Sequence, residues 1–274
     1  MKLWHASGTE PVPVLVNFHG GGFKGGSPSG GPLQNEMQRA GVTVVGATYR
    51  FLEDGISKRE VLEDGARVIQ YLRHHATRLN IDPNRIAVSG TSAGGVIAAW
   101  LATHDDLADP ESLDPVLQES TRVNVCALSI SQVHPLWIED WVSATGLDPE
   151  QLAETVVPYV QTHLAGGQFR DPILRSDYAS DEEYNAAHEA YLRDVFPFYQ
   201  LTPDDPPIAI ISGRSRDSSR YLRTWRNSRG LHSPLLMIPF FRTGQNLGIS
   251  TLWGREREVA PFVYYHMQIP AWSY

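Results

Sequence analysis

Gly90-Thr91-Ser92-Ala93-Gly94 is the segment that most restricts what this chain can fold into. It follows the apolar, β-branched run Ile86-Ala87-Val88 and leads into a small-residue helix, Val96-Ile97-Ala98-Ala99-Trp100-Leu101. In a strand–turn–helix setting, Gly-x-Ser-x-Gly puts the central serine on a tight, strained bend, with its hydroxyl raised above the sheet edge. Flanking positions of such a bend need very small residues. A second signature lies upstream, where His19-Gly20-Gly21-Gly22-Phe23 follows the strand-like Val14-Leu15-Val16-Asn17-Phe18. Acyl-transfer chemistry needs N–H donors aimed at a developing oxyanion, and glycines let those amides come close to a substrate.

From about Pro13 to about Ser131 the chain resembles the α/β-hydrolase fold, in particular the esterase and lipase families with an HGGGF oxyanion loop and a GxSAG elbow. Ile81-Asp82-Pro83-Asn84-Arg85-Ile86 is similar to those families' approach to the nucleophile strand. The resemblance implies a mostly parallel central sheet flanked by helices, with Ser92 as nucleophile. It also implies oxyanion donors at the amides of Gly21, Gly22 and Ala93. Beyond residue 131 the likeness thins.

The coarse pattern alternates strands and helices, as parallel sheets with crossover helices do. Strands are predicted over 12–18, 42–47, 85–89, 123–129 and 207–212, and helices over 33–40, 60–79 and 92–103. Residues 1–274 read as a single α/β domain. Only eighteen residues precede His19, so the antiparallel strands that usually open this fold are expected to be reduced or absent. The stretch 135–205, rich in Trp and Tyr, is expected to be a helical cap. It departs where α/β folds bind their ligands, at the carboxyl ends of the strands. The alternative is a helical flank that never meets substrate.

A serine needs a base to take its proton and a third group to orient that base. In this fold the order along the chain is Ser, then Asp or Glu, then His. Asp217, in the loop Gly213-Arg214-Ser215-Arg216-Asp217, is the expected acid; its other reading is an N-cap for a helix over 218–226. The base depends on register. If 235–240 is the last core strand, the loop after it is Arg242-Thr243-Gly244-Gln245-Asn246, which has no histidine. In a second register Gly230-Leu231-His232-Ser233-Pro234 opens a helix and 247–253 is the final strand, which puts His232 on the active face. Pro239 and Gly244 inside that helix count against it. His266, on a C-terminal helix, and His134 are the other candidates, and a chain without a competent base is the remaining option. His19 is expected to brace the oxyanion loop.

Composition excludes several classes. With formal net charge −8, the chain does not suit a phosphate backbone, which needs lysine and arginine to neutralise it. No Gly-Lys-Ser/Thr ends the glycine loop and no metal-ligand spacing occurs, so no cofactor is expected. The single cysteine, Cys126, reads as a buried inert thiol. No apolar run reaches the length of a membrane span, and the absence of an export signal predicts a cytoplasmic protein. An edge strand left bare by the short N-terminus offers a surface for a homodimer. The leading expectation is a carboxylesterase cleaving small to medium acyl esters. An arylformamidase-type amidase and a non-catalytic binding protein of the same fold are the alternatives.

Overall fold

The computed structural model describes residues 1–52, 55–129, 131, 133, 148, 150, 175–212 and 237–270. Among them, seven strands form one sheet in the order β1-β3-β2-β4-β5-β6-β7. The strands are β1 (Lys2–Trp4), β2 (Val12–Phe18), β3 (Thr43–Ala47), β4 (Ile81–Thr91), β5 (Val125–Ser129), β6 (Ile208–Ile211) and β7 (Thr251–Gly254). Neighbours from β3 to β7 pair in parallel, and β1 alone runs antiparallel, against β3. The antiparallel opening is therefore one three-residue strand at the sheet edge, ahead of the first strand read from the sequence.

Burial on both faces accounts for the unbroken apolar strands. Alternation sends Val14, Val16, Phe18, Ile86, Val88 and Leu128 into one core layer. Helices α2 (Lys58–His74) and α4 (Ala93–Thr103) cover that face. Leu15, Ala87, Val125, Ala127 and Ala209 point to the other layer, under α1 (Gln34–Arg39) and α7 (Glu256–His266). Helix α4 is buried along its whole length, so it needs no polar face. Ser57 and Glu60 form a capping box that starts α2. That helix stops at His75, and Ala76–Leu79 is a separate turn, α3, where the apolar spacing predicts one continuous helix. Cys126 is 1% exposed with its thiol against the Ala98 carbonyl, and burial pushes its pKa up.

Two polar side chains sit among these apolar ones. Asn17 and Ser89 face each other across β2 and β4, and the Ser89 hydroxyl donates to Asn17 Oδ1 at 3.0 Å. Asn17 Nδ2 donates to the Ser29 carbonyl at 2.9 Å, which fixes the loop beyond β2.

Within 135–205, the described part contains α5 (Asp181–Val195) and a 3₁₀ turn at Pro197–Gln200. The end of α5 is tied to α2 and α4: Asp194 pairs with Arg59, and Trp100 Nε1 donates to the Asp194 carbonyl at 2.9 Å. This end packs against the body of the fold. Residues 134–147, 149 and 151–174, where the cap expectation mainly falls, lie outside the described residues.

Candidate active site

Strand β2 lies between β3 and β4, so the chain first moves outward to β3 and then crosses back to β4. The carboxyl ends of β2 and β4 flank that switch point, the place where open α/β sheets bind ligands. The glycine loop leaves β2 and the serine turn leaves β4. Phe18 pairs with Gly90 in register, so the two loops start level with one another.

Ser92 has φ 55° and ψ −122°, a region that costs on the order of 1–3 kcal/mol for a non-glycine residue. Its N–H donates to the Ser129 carbonyl at 3.1 Å, and its carbonyl accepts from Gly95 and Val96 at 3.0 and 3.2 Å. The bend is thus held from β5 on one side and from α4 on the other. The small flanking residues are a steric necessity: a Cβ on Gly94 would lie 2.1 Å from the Phe18 carbonyl oxygen, and one on Gly90 2.2 Å from that of Gly94. Ser92 itself is only half-buried.

The glycine loop abuts the serine. A Cβ on Gly20 would meet the Thr91 carbonyl at 3.0 Å and Ser92 Cβ at 3.3 Å. Gly21, Gly22 and Phe23 all have positive φ (126°, 62° and 61°), and Lys24 N–H closes the turn on the Gly21 carbonyl at 3.1 Å. Phe23 tolerates this because its ring is buried in the core, 2% exposed, and its carbonyl accepts from Leu52 N–H at 2.9 Å. His19 braces the loop: Nδ1 lies 2.7 Å from the Gly20 carbonyl and Nε2 lies 3.1 Å from Thr48 Oγ1. Among the described residues, no acceptor takes a hydrogen bond from the N–H of Gly21, Gly22 or Ala93. Ala93 opens α4, where unsatisfied N–H groups carry partial positive charge. Three N–H donors and one hydroxyl on two abutting loops suit the stabilisation of a tetrahedral oxyanion.

Asp217, His232 and His134 lie outside the described residues. The register that governs the base is visible on either side of them. Residues Ile238–Asn246 form a helix, α6, and β7 follows it in parallel with β6. So 238–240 are helical and not the last strand, and the histidine-free 242–246 segment is the C-terminal part of that helix. Pro239 falls in the first turn of α6, where no N–H is required. Gly244 is buried with room to spare, since a Cβ there would only reach ordinary contact with Thr251 at 3.5 Å. Met237, just before α6, accepts from Ser131 N–H at 3.3 Å. Ser131 in turn lies two residues past the end of β5, whose Ser129 carbonyl holds Ser92.

His266 is placed at the wrong end. Its Nε2 lies 3.4 Å from Ser250 Oγ, and it lines a cleft of about 280 Å³ with Asp82, Arg85 and Asn124. Those residues stand at the amino ends of β4 and β5. Ser92 is seven residues further on than Arg85, roughly 20 Å along an extended strand. Among the described residues, no group of three or more His, Cys, Asp or Glu could hold a metal ion, and no helix is long and apolar enough to cross a membrane.

Thr48 and Tyr49, which contact His19, have no motif in the sequence. The one signal that points to them is their place immediately after β3, at the carboxyl edge of the sheet.

Comparison with known proteins agrees with this geometry. The BD-FAE family model matches residues 3–224. The chain is 32% identical over 143 residues to the AB hydrolase superfamily protein C1039.03 of Schizosaccharomyces pombe, covering 50% of this chain and 41% of that protein. Against Esterase LipI of Mycobacterium tuberculosis identity is 35% over 93 residues, 33% of this chain and 29% of the relative. The aligned parts thus span well under half of either relative. Among solved structures, the acetyl ester-xyloside bifunctional hydrolase of Caldicellulosiruptor lactoaceticus superposes with a TM-score of 0.62 at 20% identity. That match covers 92% of this chain and 75% of the other. It shows a shared fold.

Proposed function

This chain belongs to the BD-FAE family, within the α/β-hydrolase esterase superfamily, and from that premise we propose that it is a serine carboxylesterase acting on small to medium acyl esters. The observation that carries this reading is the contact between the glycine loop and the serine turn. A Cβ on Gly20 would stand 3.3 Å from Ser92 Cβ, and among the described residues no acceptor takes the N–H of Gly21, Gly22 or Ala93.

In the proposed cycle Ser92 Oγ attacks the ester carbonyl as His232 takes its proton. The N–H groups of Gly21, Gly22 and Ala93 receive the oxyanion. The tetrahedral intermediate collapses to an acyl-serine, and the alcohol leaves with the proton from His232. Water, deprotonated by the same imidazole, then releases the acid. Asp217 orients the imidazole. Support for the acid and base comes from tethering. Asp217 is five residues past Ser212, whose N–H donates to the Gly254 carbonyl at the carboxyl edge of the sheet. His232 is five residues before Met237, which is fixed to Ser131 at that same edge. Five residues reach at most about 18 Å. The stretch 135–205 serves as cap in this reading. The single buried cysteine fits a cytoplasmic setting, and two copies pairing along β1 would form a homodimer.

The non-catalytic alternative rests on the histidine-free segment 242–246 and on the shortened N-terminus. The first argument falls away, because that segment is helical.

The test is Ser92→Ala on p-nitrophenyl acetate. Wild type should show burst release of nitrophenol and labelling by a fluorophosphonate. The variant should lose at least on the order of a thousandfold in kcat and all of the labelling. A variant as fast as wild type ends the proposal.

A further inference from the structure

Thr48 and Tyr49 are not part of any catalytic motif, yet both make hydrogen bonds into His19-Gly20. The Tyr49 hydroxyl donates to the His19 carbonyl at 2.7 Å, and its ring stacks on the imidazole at 4.6 Å and 20°. Phe51 meets both rings edge-on, at 6.2 Å from His19 and 5.9 Å from Tyr49. Burial pushes the Tyr49 pKa up, so the phenol remains a donor across the working pH range. Thr48 Oγ1 sits 3.1 Å from His19 Nε2, which leaves Nδ1 to the Gly20 carbonyl at 2.7 Å. A carbonyl oxygen can only accept, so His19 Nδ1 is the donor in the bond to Gly20.

The peptide unit supplies the link to chemistry. The Gly20 carbonyl and the Gly21 N–H belong to one planar trans group and point in opposite directions. A hydrogen bond that pins the carbonyl therefore aims the N–H. It also polarises that N–H, because hydrogen bonds in series strengthen one another. The His19 carbonyl is held in the same way by Tyr49, and it lies directly beneath Gly94: a Cβ there would come within 2.4 Å of it. Two successive peptide planes leading to Gly21 are thus clamped by one stacked pair of rings.

We propose that Tyr49 and Thr48 are positioning residues, acting through His19 to orient the Gly21 N–H that receives the oxyanion. This inference rests on the esterase reading of the site. Neither residue need touch substrate. Losing their contacts should therefore lower kcat and leave KM nearly alone, because the oxyanion develops only after substrate is bound.

The experiment compares Tyr49→Phe, Thr48→Val and Thr48→Ser with wild type in two ways: p-nitrophenyl acetate kinetics, and hydrogen exchange of the Lys24 and Leu52 amides, which bond to the Gly21 and Phe23 carbonyls of the loop. Tyr49→Phe deletes only the hydroxyl and is expected to lower kcat roughly tenfold to a hundredfold, with KM within about twofold. Exchange at Lys24 and Leu52 should rise at least about tenfold while the rest of the sheet stays protected. Thr48→Val should show the same pattern more weakly, and Thr48→Ser should restore wild-type values. Wild-type kcat in Tyr49→Phe, or an activity loss with protection at Lys24 and Leu52 unchanged, overturns the proposal. If Tyr49→Phe does not fold, the exposed Thr48 pair decides by the same criteria. If wild type itself turns over no ester, the hydrolase reading fails separately, and exchange alone decides: unchanged protection overturns the role of Tyr49, and faster exchange confined to those two amides sustains it.

Discussion

Ser92 and Ser129 are joined main chain to main chain, the N–H of one donating to the carbonyl of the other across 3.1 Å. The strained residue is therefore anchored to a neighbouring strand as well as to its own helix. Adjacent to that anchor, Ser131 reaches Met237 and so the start of α6. The serine turn, the end of β5 and the last crossover helix converge on one edge of the sheet.

The proposed base, His232, and His266 are told apart by substitution. His232→Ala should lower kcat/KM on p-nitrophenyl acetate by at least about a thousandfold, as loss of a triad base does. His266→Ala, at the opposite end of the strands, should stay within about twofold. Inactivity of the second variant alongside full activity of the first would reverse the assignment.

Gly94 and Gly25 make a matched pair of probes. At Gly94 an added methyl would lie 2.1 and 2.4 Å from two backbone carbonyl oxygens, and neither can move without shifting β2. Gly25 has no atom within 4 Å of the same position. Gly94→Ala should cost roughly 3 kcal/mol or more in urea unfolding, while Gly25→Ala stays within about 0.5 kcal/mol. Equal stabilities would show that the elbow can yield.

Asp205 ties stability to pH. Burial, above all, pushes its carboxyl up to about 6, against the opposing pull of hydrogen bonds from Thr202 N–H at 2.8 Å and Oγ1 at 3.1 Å. A raised carboxyl pKa means that the folded state holds the proton more tightly than the unfolded chain. The resulting stabilisation is full below about pH 4 and is lost as pH rises to about 6. Two pKa units correspond to about 2–3 kcal/mol, a figure that partial solvation reduces. Unfolding free energies of wild type and Asp205→Asn, measured at pH 4 and pH 7, should move in the variant's favour at the higher pH. A constant difference between the two pH values would refute it.

The strands of the parallel sheet and the serine turn were legible because their causes are local. Burial on both faces writes continuous apolar runs, and the sharp bend at Ser92 requires glycines at fixed offsets. Strand β1 was not legible, since Lys2-Leu3-Trp4 has no pattern of its own and is a strand only because β3 presents an open edge. The break at His75 was hidden because Ala76 and Leu79 keep the helical spacing across it. The choice of last strand turned on Pro239, which is forbidden in a helix interior and harmless in a first turn. Tyr49 was invisible for a different reason. Its contact with His19 spans thirty residues, and nothing near it in the chain records the partner.

The Asn17–Ser89 contact acts as a vernier for the two loops. An amide and a hydroxyl enclosed by aliphatic neighbours can satisfy each other at only one alignment of β2 and β4. Each rung of slippage would bring apolar atoms against them and advance one loop past the other by about 3.3 Å. A misplacement of 1 Å is already enough to cost a catalyst about a hundredfold. The match between two inconspicuous polar residues therefore sets the gap between Gly20 and Ser92.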